Sequence, residues 1–223
     1  MKFFIFLKEI SVKAEYRLDI FIDELGDLFL VSTWYHGTNE TSAISICRDG
    51  INFSKSKKEL DFGAGFYLSD DYEVAKRRAF QKTLIYNRIY KKSELPAIVV
   101  VSIDMEMLGD KKIKSFEYCD SDWLHFVIAN RLSDDFLSKT NVELEHNRDL
   151  RYDVVVGSIA DSDISEMVSH IDKGDISLSD ISVYDVLTDE GRTLGTQMAL
   201  HTERSLECVL KKEYTVISER RTA

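Results

Sequence analysis

The sequence predicts a mixed α+β fold, and three observations carry that expectation. Two continuous β-branched runs, "PAIVVVSID" (96–104) and "RYDVVVGSI" (151–159), read as buried strands. The stretch "DDYEVAKRRAFQKTLIYNRIY" (70–90) starts with acids and keeps Val74-Ala75, Arg78-Ala79 and Lys82-Thr83 on helical spacing. Strands and helices do not alternate in regular βαβ units, which argues against a doubly wound sheet.

The remaining elements follow in chain order. Residues 1–33 read as an N-terminal extension and residues 34–223 as the main domain. In the extension, "RLDIFIDELGDLFLVS" alternates apolar clusters with acids until Gly26 breaks it, the pattern of a short helix or a strand pair. It serves as a prop for the main domain or as a docking surface. "TWYHGT" (33–38) reads as a short strand ending in a loop. "SAISICRDG" (42–50) has the spacing of a short helix stopped by Gly50. "FGAGFYLSD" (62–70) is a glycine turn into an aromatic strand. "SDWLHFVIANRL" (121–132) is a helix opened by a serine or aspartate cap, with Trp123 and Phe126 expected in the core. The run from Thr193 to Lys211 reads as a strand, a Thr202 cap and a short helix from Glu203, and "KEYTVIS" as a last strand.

Composition narrows the function. The 223 residues suit one domain with an extension, and the single proline rules out a proline-rich linker. A net charge of −10 disfavours generic binding to phosphate backbones, although Lys55–Lys58 and Lys76–Arg78 are locally basic. Three scattered cysteines without a CxxC fit a reducing compartment, with no disulfide framework and no zinc site. The apolar start "MKFFIFLKEI" is too short for a signal-peptide core or a membrane span. The expectation is a cytosolic protein with no membrane partner.

Two stretches carry chemistry when read together: "YHGT" (35–38) and "DFGAGFYLSDD" (61–71). His-Gly-Thr on one strand, followed by Phe-Gly-x-Gly-Phe-Tyr on the next, resembles the His-Tyr-acid branch of the ADP-ribosyltransferase superfamily. That branch includes poly-ADP-ribose polymerases and diphtheria-type toxins. The chain is more similar still to a family of bacterial and phage ADP-ribosyltransferase-like proteins. Those carry "YHG", "DFGxGFYL", a "DWLxFVxANR"-like helix, a "YDVVVG" strand followed by "AD", and "QxxxHTE". Here these fall at Tyr35–Gly37, Asp61–Leu68, Asp122–Arg131, Tyr152–Gly157 with Ala160-Asp161, and Gln197–Glu203, a span of residues 34–210.

The resemblance implies a split β-sandwich of two mostly antiparallel sheets around an NAD⁺ cleft. It implies cleavage of the nicotinamide–ribose bond, with transfer of one ADP-ribose to a macromolecule, a protein in preference to a nucleic acid, or plain NAD⁺ hydrolysis. NAD⁺ is then a substrate, and no metal is needed. His36 would bond a hydroxyl of the adenosine ribose. Gly37 would offer backbone groups to the nicotinamide carboxamide, and Thr38 would support the nicotinamide ribose. Gly65 and Phe66 would let the chain approach the ligand. Tyr67 would stack on the cationic nicotinamide ring, a contact of roughly 1–2 kcal/mol when desolvated. The transition state is oxocarbenium-like, as in glycoside hydrolysis. Gln197 would hold the ribose 2′-hydroxyl as the third catalytic residue, with Glu203 the alternative.

Departures from the polymerase pattern weigh against chain elongation. Arg78 stands where those enzymes place a second stacking tyrosine, and Ala75 where they place a serine. Gln197 replaces an acid, which keeps open an NAD⁺-binding module without turnover. An RNA 2′-phosphate-removing transferase is a further alternative, disfavoured by the acidic charge balance. Family analogy alone suggests a toxin of a bacterial or phage conflict system, with a neutralising antitoxin protein as partner. Arg131 is expected to pair with an acid or to reach a phosphate. Asp161 and Asp163 read as a solvated turn, His201 as a packed residue, and His125, His146 and His170 as non-ligands.

Overall fold

The computed structural model describes residues 18–22, 28–139, 144–160, 162–177 and 194–217. Asp161, Gly26 and most of residues 1–27 lie outside the described residues. The chain is mixed α+β with mostly antiparallel pairing, as the sequence predicts. It divides into two compact units that interleave along the sequence. Unit 1 takes residues 1–52, 67–111 and 203–223; unit 2 takes residues 53–66 and 112–202.

Unit 1 is organised by one long strand. β1 (Leu18–Ile22) pairs antiparallel with β2 (Leu28–Asn39), so the extension supplies a strand pair rather than a helix. β2 runs unbroken across the 33/34 boundary drawn from the sequence. Residues 28–33 belong to the same strand as His36, because no glycine or proline interrupts "LFLVSTWYH". The expected loop after Thr38 is absent too. Asn39 ends the strand and at once caps α1 (Glu40–Asp49), its side-chain oxygen accepting from Ser42 N at 2.9 Å. Gly50 closes α1 at φ +96°.

β3 (Phe66–Ser69) meets β2 at a single register pair, Tyr35 with Ser69. Asp71 caps α2 (Tyr72–Tyr90) by accepting from Glu73 N and Val74 N. β4 (Pro96–Asp104) pairs with β2 along its full length and with β8 (Val209–Val216) on its other edge. Such a two-sided position explains its continuous β-branched run: Ala97, Ile98, Val99, Val101 and Ile103 are fully buried. The short helices α3 (Met105–Gly109) and α7 (Glu203–Leu206) also belong to the unit.

Unit 2 carries the three strands β5 (Ile113–Ser115), β6 (Val154–Ser158) and β7 (Thr196–Leu200). β5 runs parallel to β6, and β7 antiparallel to it, with Gly157 opposite Gln197. Among the described residues its helices are α4 (Ser121–Arg131), α5 (Asp134–Lys139) and α6 (Ser162–Lys173). The cap of α4 is Asp120, which accepts from Trp123 N, and not Ser121 or Asp122 as the sequence suggests. Trp123 and Phe126 are buried as expected, and Phe126 packs with Phe62, Phe116 and Tyr152.

Gly37 fixes how closely β2 and α2 approach. A Cβ there would lie 1.9 Å from Ala75 O and 2.7 Å from Ala79 N, atoms of a helix backbone that cannot yield. Gly37→Ala is therefore expected to destabilise the fold by about 1–3 kcal/mol. Urea unfolding checks this: the midpoint should fall while the slope stays that of the parent protein.

Candidate functional site

Within unit 1, the expected residues His36, Gly37, Thr38 and Tyr67 come from two strands. The half-buried His36 ring lies 2.7 Å through Nδ1 from the carbonyl oxygen of Tyr67. A carbonyl can only accept, so Nδ1 carries the hydrogen and Nε2 the lone pair. Desolvation, and then the positive charge of Lys82, push the His36 pKa down to about 3; the bond to Tyr67 opposes this without reversing it. His36 is thus a neutral ring with its tautomer set by main chain, and Nε2 is an acceptor suited to a sugar hydroxyl. Tyr67 is half-buried on β3, and Thr38 is buried.

The backbone around Gly37 is suited to a ligand for a reason the sequence only hints at. β2 is laddered to β4 through Asn39, whereas its register with β3 consists of Tyr35 alone. From Gly37 to Asn39 the strand is therefore paired along one edge within unit 1. A splayed edge of this kind leaves main-chain donors and acceptors facing away from the sheet. Arg78 and Tyr72 are exposed on α2, and Tyr72 packs edge-on against Tyr35 at 5.5 Å.

Within unit 2, the Gly-Ala-Gly turn is held from several sides. Gly63 has φ +86°, a conformation that favours glycine, and Asn130 Oδ1 closes on it. A Cβ on Gly65 would meet His201 Nδ1 and Leu200 O, each at 2.8 Å. Gly65 N donates to Ser56 Oγ at 2.9 Å, and His201 Nδ1 donates to Ala64 O at 2.7 Å. The two glycines thus admit packed protein atoms where the sequence suggested room for a ligand. Phe66 is buried. His201 is buried as expected, and desolvation lowers its pKa to about 4.

Gln197 lies on β7 and is 7% exposed. Its Nε2 donates to Asp61 Oδ2 at 2.6 Å and to Ser158 O at 3.2 Å. Asp61 is the residue that sequence reasoning passed over. Its Oδ1 accepts from Arg131 Nε at 2.9 Å and from Nη2, and its Oδ2 also accepts from Ala160 N at 3.1 Å. Arg131 thus pairs with an acid, one of its two expected roles, and its Nη1 donates to Ser165 Oγ. The departure of position 197 from an acid acquires a physical reason. A glutamate there would set a second carboxylate against Asp61, whereas an amide donates to it. Glu203 is exposed at the start of α7.

His146 lies 3.9 Å from Asp149, and His170 Nδ1 lies 3.0 Å from Asp175. No cluster of three His, Cys, Asp or Glu fit to hold a metal occurs among the described residues. No helix among them is long and apolar enough to cross a membrane.

The described residues define a mixed α+β protein with a main-chain-locked neutral histidine in one unit and an amide–carboxylate–guanidinium network in the other. The chain belongs to the family described as "Protein of unknown function (DUF3990)", whose model matches residues 33–210. No curated protein and no solved structure matches it.

The two depressed histidines make stability pH-dependent. Each has a folded pKa below its unfolded value near 6.5. Between the two values the unfolded chain binds the extra proton, so stability is full above about pH 6.5 and falls as pH drops towards 4 and 3. Urea titrations at pH 7 and pH 4.5 should show this loss, and His201→Gln should reduce it by the share of one histidine.

Proposed function

We propose that this protein is an NAD⁺-dependent mono-ADP-ribosyltransferase. The observation that carries the reading is the hydrogen bond from His36 Nδ1 to the Tyr67 carbonyl. It joins the two motif residues within one unit and presents a neutral acceptor, as a ribose hydroxyl requires. The half-laddered edge from Gly37 to Asn39 supports the same reading, because a carboxamide is recognised by paired main-chain donors and acceptors. On this reading the fold is a split β-sandwich of the ADP-ribosyltransferase type.

NAD⁺ is the substrate, and the bond broken joins the nicotinamide nitrogen to the ribose C1′. The electron pair leaves with nicotinamide, and C1′ takes an acceptor's lone pair as the acceptor loses its proton. Tyr67 faces the departing ring and His36 holds the adenosine ribose; the family resemblance, by itself, gives the nicotinamide ribose to Gln197. A neutral amide stabilises an oxocarbenium-like centre less than a carboxylate does. Single transfer to a protein acceptor, or hydrolysis, fits better than elongation. The toxin role, the cytosolic setting and a neutralising antitoxin protein complete the proposal.

A second reading has its own observation in favour: both Gln197 contacts tie its amide to unit 2 itself. That reading is an NAD⁺-binding module without turnover.

Incubation with labelled NAD⁺ and a cell lysate separates the two. Label on protein bands with nicotinamide release is expected; binding without release would leave the module. His36→Ala and Tyr67→Ala should each lower turnover by about 10²-fold or more, with melting temperatures showing that the variants stay folded. A fully active variant would remove that residue from the site.

A further inference from the structure

The network around Asp61 determines which end of the Gln197 amide a ligand meets. Two acceptors, the Asp61 carboxylate and the Ser158 carbonyl, lie within hydrogen-bond distance of Nε2. Both amide hydrogens are therefore engaged within unit 2. Turning the amide over would set Oε1 against a carboxylate oxygen and a carbonyl oxygen at once, with no hydrogen between them. Asp61 itself cannot turn away. Arg131 engages Oδ1 twice, and Ala160 N holds Oδ2 alongside Gln197. Both contacts of the side chain run through Nε2, which leaves Gln197 Oε1 without a hydrogen bond among the described residues, and the residue as a whole is 7% exposed.

We propose that Asp61 is a positioning residue that fixes Gln197 as a pure hydrogen-bond acceptor, so that its subsite takes a ligand hydroxyl and rejects a carbonyl or an anion. The identity of that hydroxyl as a ribose hydroxyl of NAD⁺ rests on the function proposed above; the locked amide does not. Gln197 and Asp61 are a matched pair, so neither changes alone without cost. Gln197→Glu would bring two carboxylates together, and Asp61→Asn would free the amide to present either end. The double variant Asp61→Asn/Gln197→Glu would reverse the donor and acceptor of this one bond and keep an oxygen at the outer position. It would also set the introduced glutamate against Ser158 O and the introduced asparagine amide against Ala160 N, so it recovers only part of the arrangement.

Two measurements on the full chain test this. In ¹⁵N spectra, the Gln197 side-chain amide, assigned by its loss in Gln197→Ala, should exchange slowly in the wild type and fast in Asp61→Asn. A fast-exchanging wild-type amide would overturn the lock even if Asp61→Asn fails to fold. The second measurement compares NAD⁺ with its 2′-deoxy analogue on the nicotinamide ribose. The wild type should favour NAD⁺ by about tenfold or more in kcat/KM, because the analogue leaves Oε1 without a donor. Asp61→Asn should bring the ratio towards one, and the double variant should recover part of it. A merely structural Asp61 would slow both substrates alike and leave the ratio unchanged, which would overturn the proposal. Absence of NAD⁺ turnover in the wild type would count against the proposed function, while the amide exchange would still decide the role of Asp61.

Discussion

A carboxylate withdrawn from water must be met by hydrogen bonds or it destabilises the fold that buries it. The Asp61 side chain is 10% exposed, and every oxygen on it is engaged. Its donors come from the end of α4, the residue that follows β6 closely, and the middle of β7. One charge therefore brings three separated segments of unit 2 into register. Removing the charge would leave the half-buried Arg131 without its counterion as well as breaking the hydrogen bonds to Ala160 and Gln197. The Gly-Ala-Gly turn inherits its position from this tie, since it begins two residues after Asp61.

Much of the fold was legible in the sequence because its signals are local. The β-branched runs at 96–104 and 151–159, the acid-capped helix at 71–90 and the glycine stop at residue 50 each depend on neighbours in the chain. The length of β2 was less legible. "LFLV" and "TWYHGT" read as separate phrases, yet pairing to β1 and β4 makes them one strand. The cap of α4 was misplaced by one or two residues, since three of the four residues at 119–122 are capable of capping and only geometry selects Asp120.

The candidate site divides in the same way. His36 and Tyr67 stood out because their phrases are distinctive, and the structure brings them together through main chain. The tie between Asp61 and Gln197 had no local signal. The two residues are separated by 136 positions, and neither periodicity nor composition links them. Arg131 shows the intermediate case: the sequence offered an acid or a phosphate as its partner, and the network supplies the acid. Both depressed histidines follow one rule. Each gives its Nδ1 hydrogen to a carbonyl of the "AGFY" segment, so the same chemistry holds His36 in unit 1 and His201 in unit 2.

The pairing of β4 has a consequence for synthesis. Its partner on one edge, β2, precedes it by about sixty residues, but its partner on the other, β8, comes more than a hundred residues later. While a ribosome makes the intervening chain, the run "PAIVVVSID" has an open edge of the kind that recruits other strands. Residues 209–216 close that edge, and "LKKEY" then puts charged side chains on the outer strand. The nascent chain thus exposes an aggregation-prone edge until β8 emerges, and that is when a chaperone would be of most use to it.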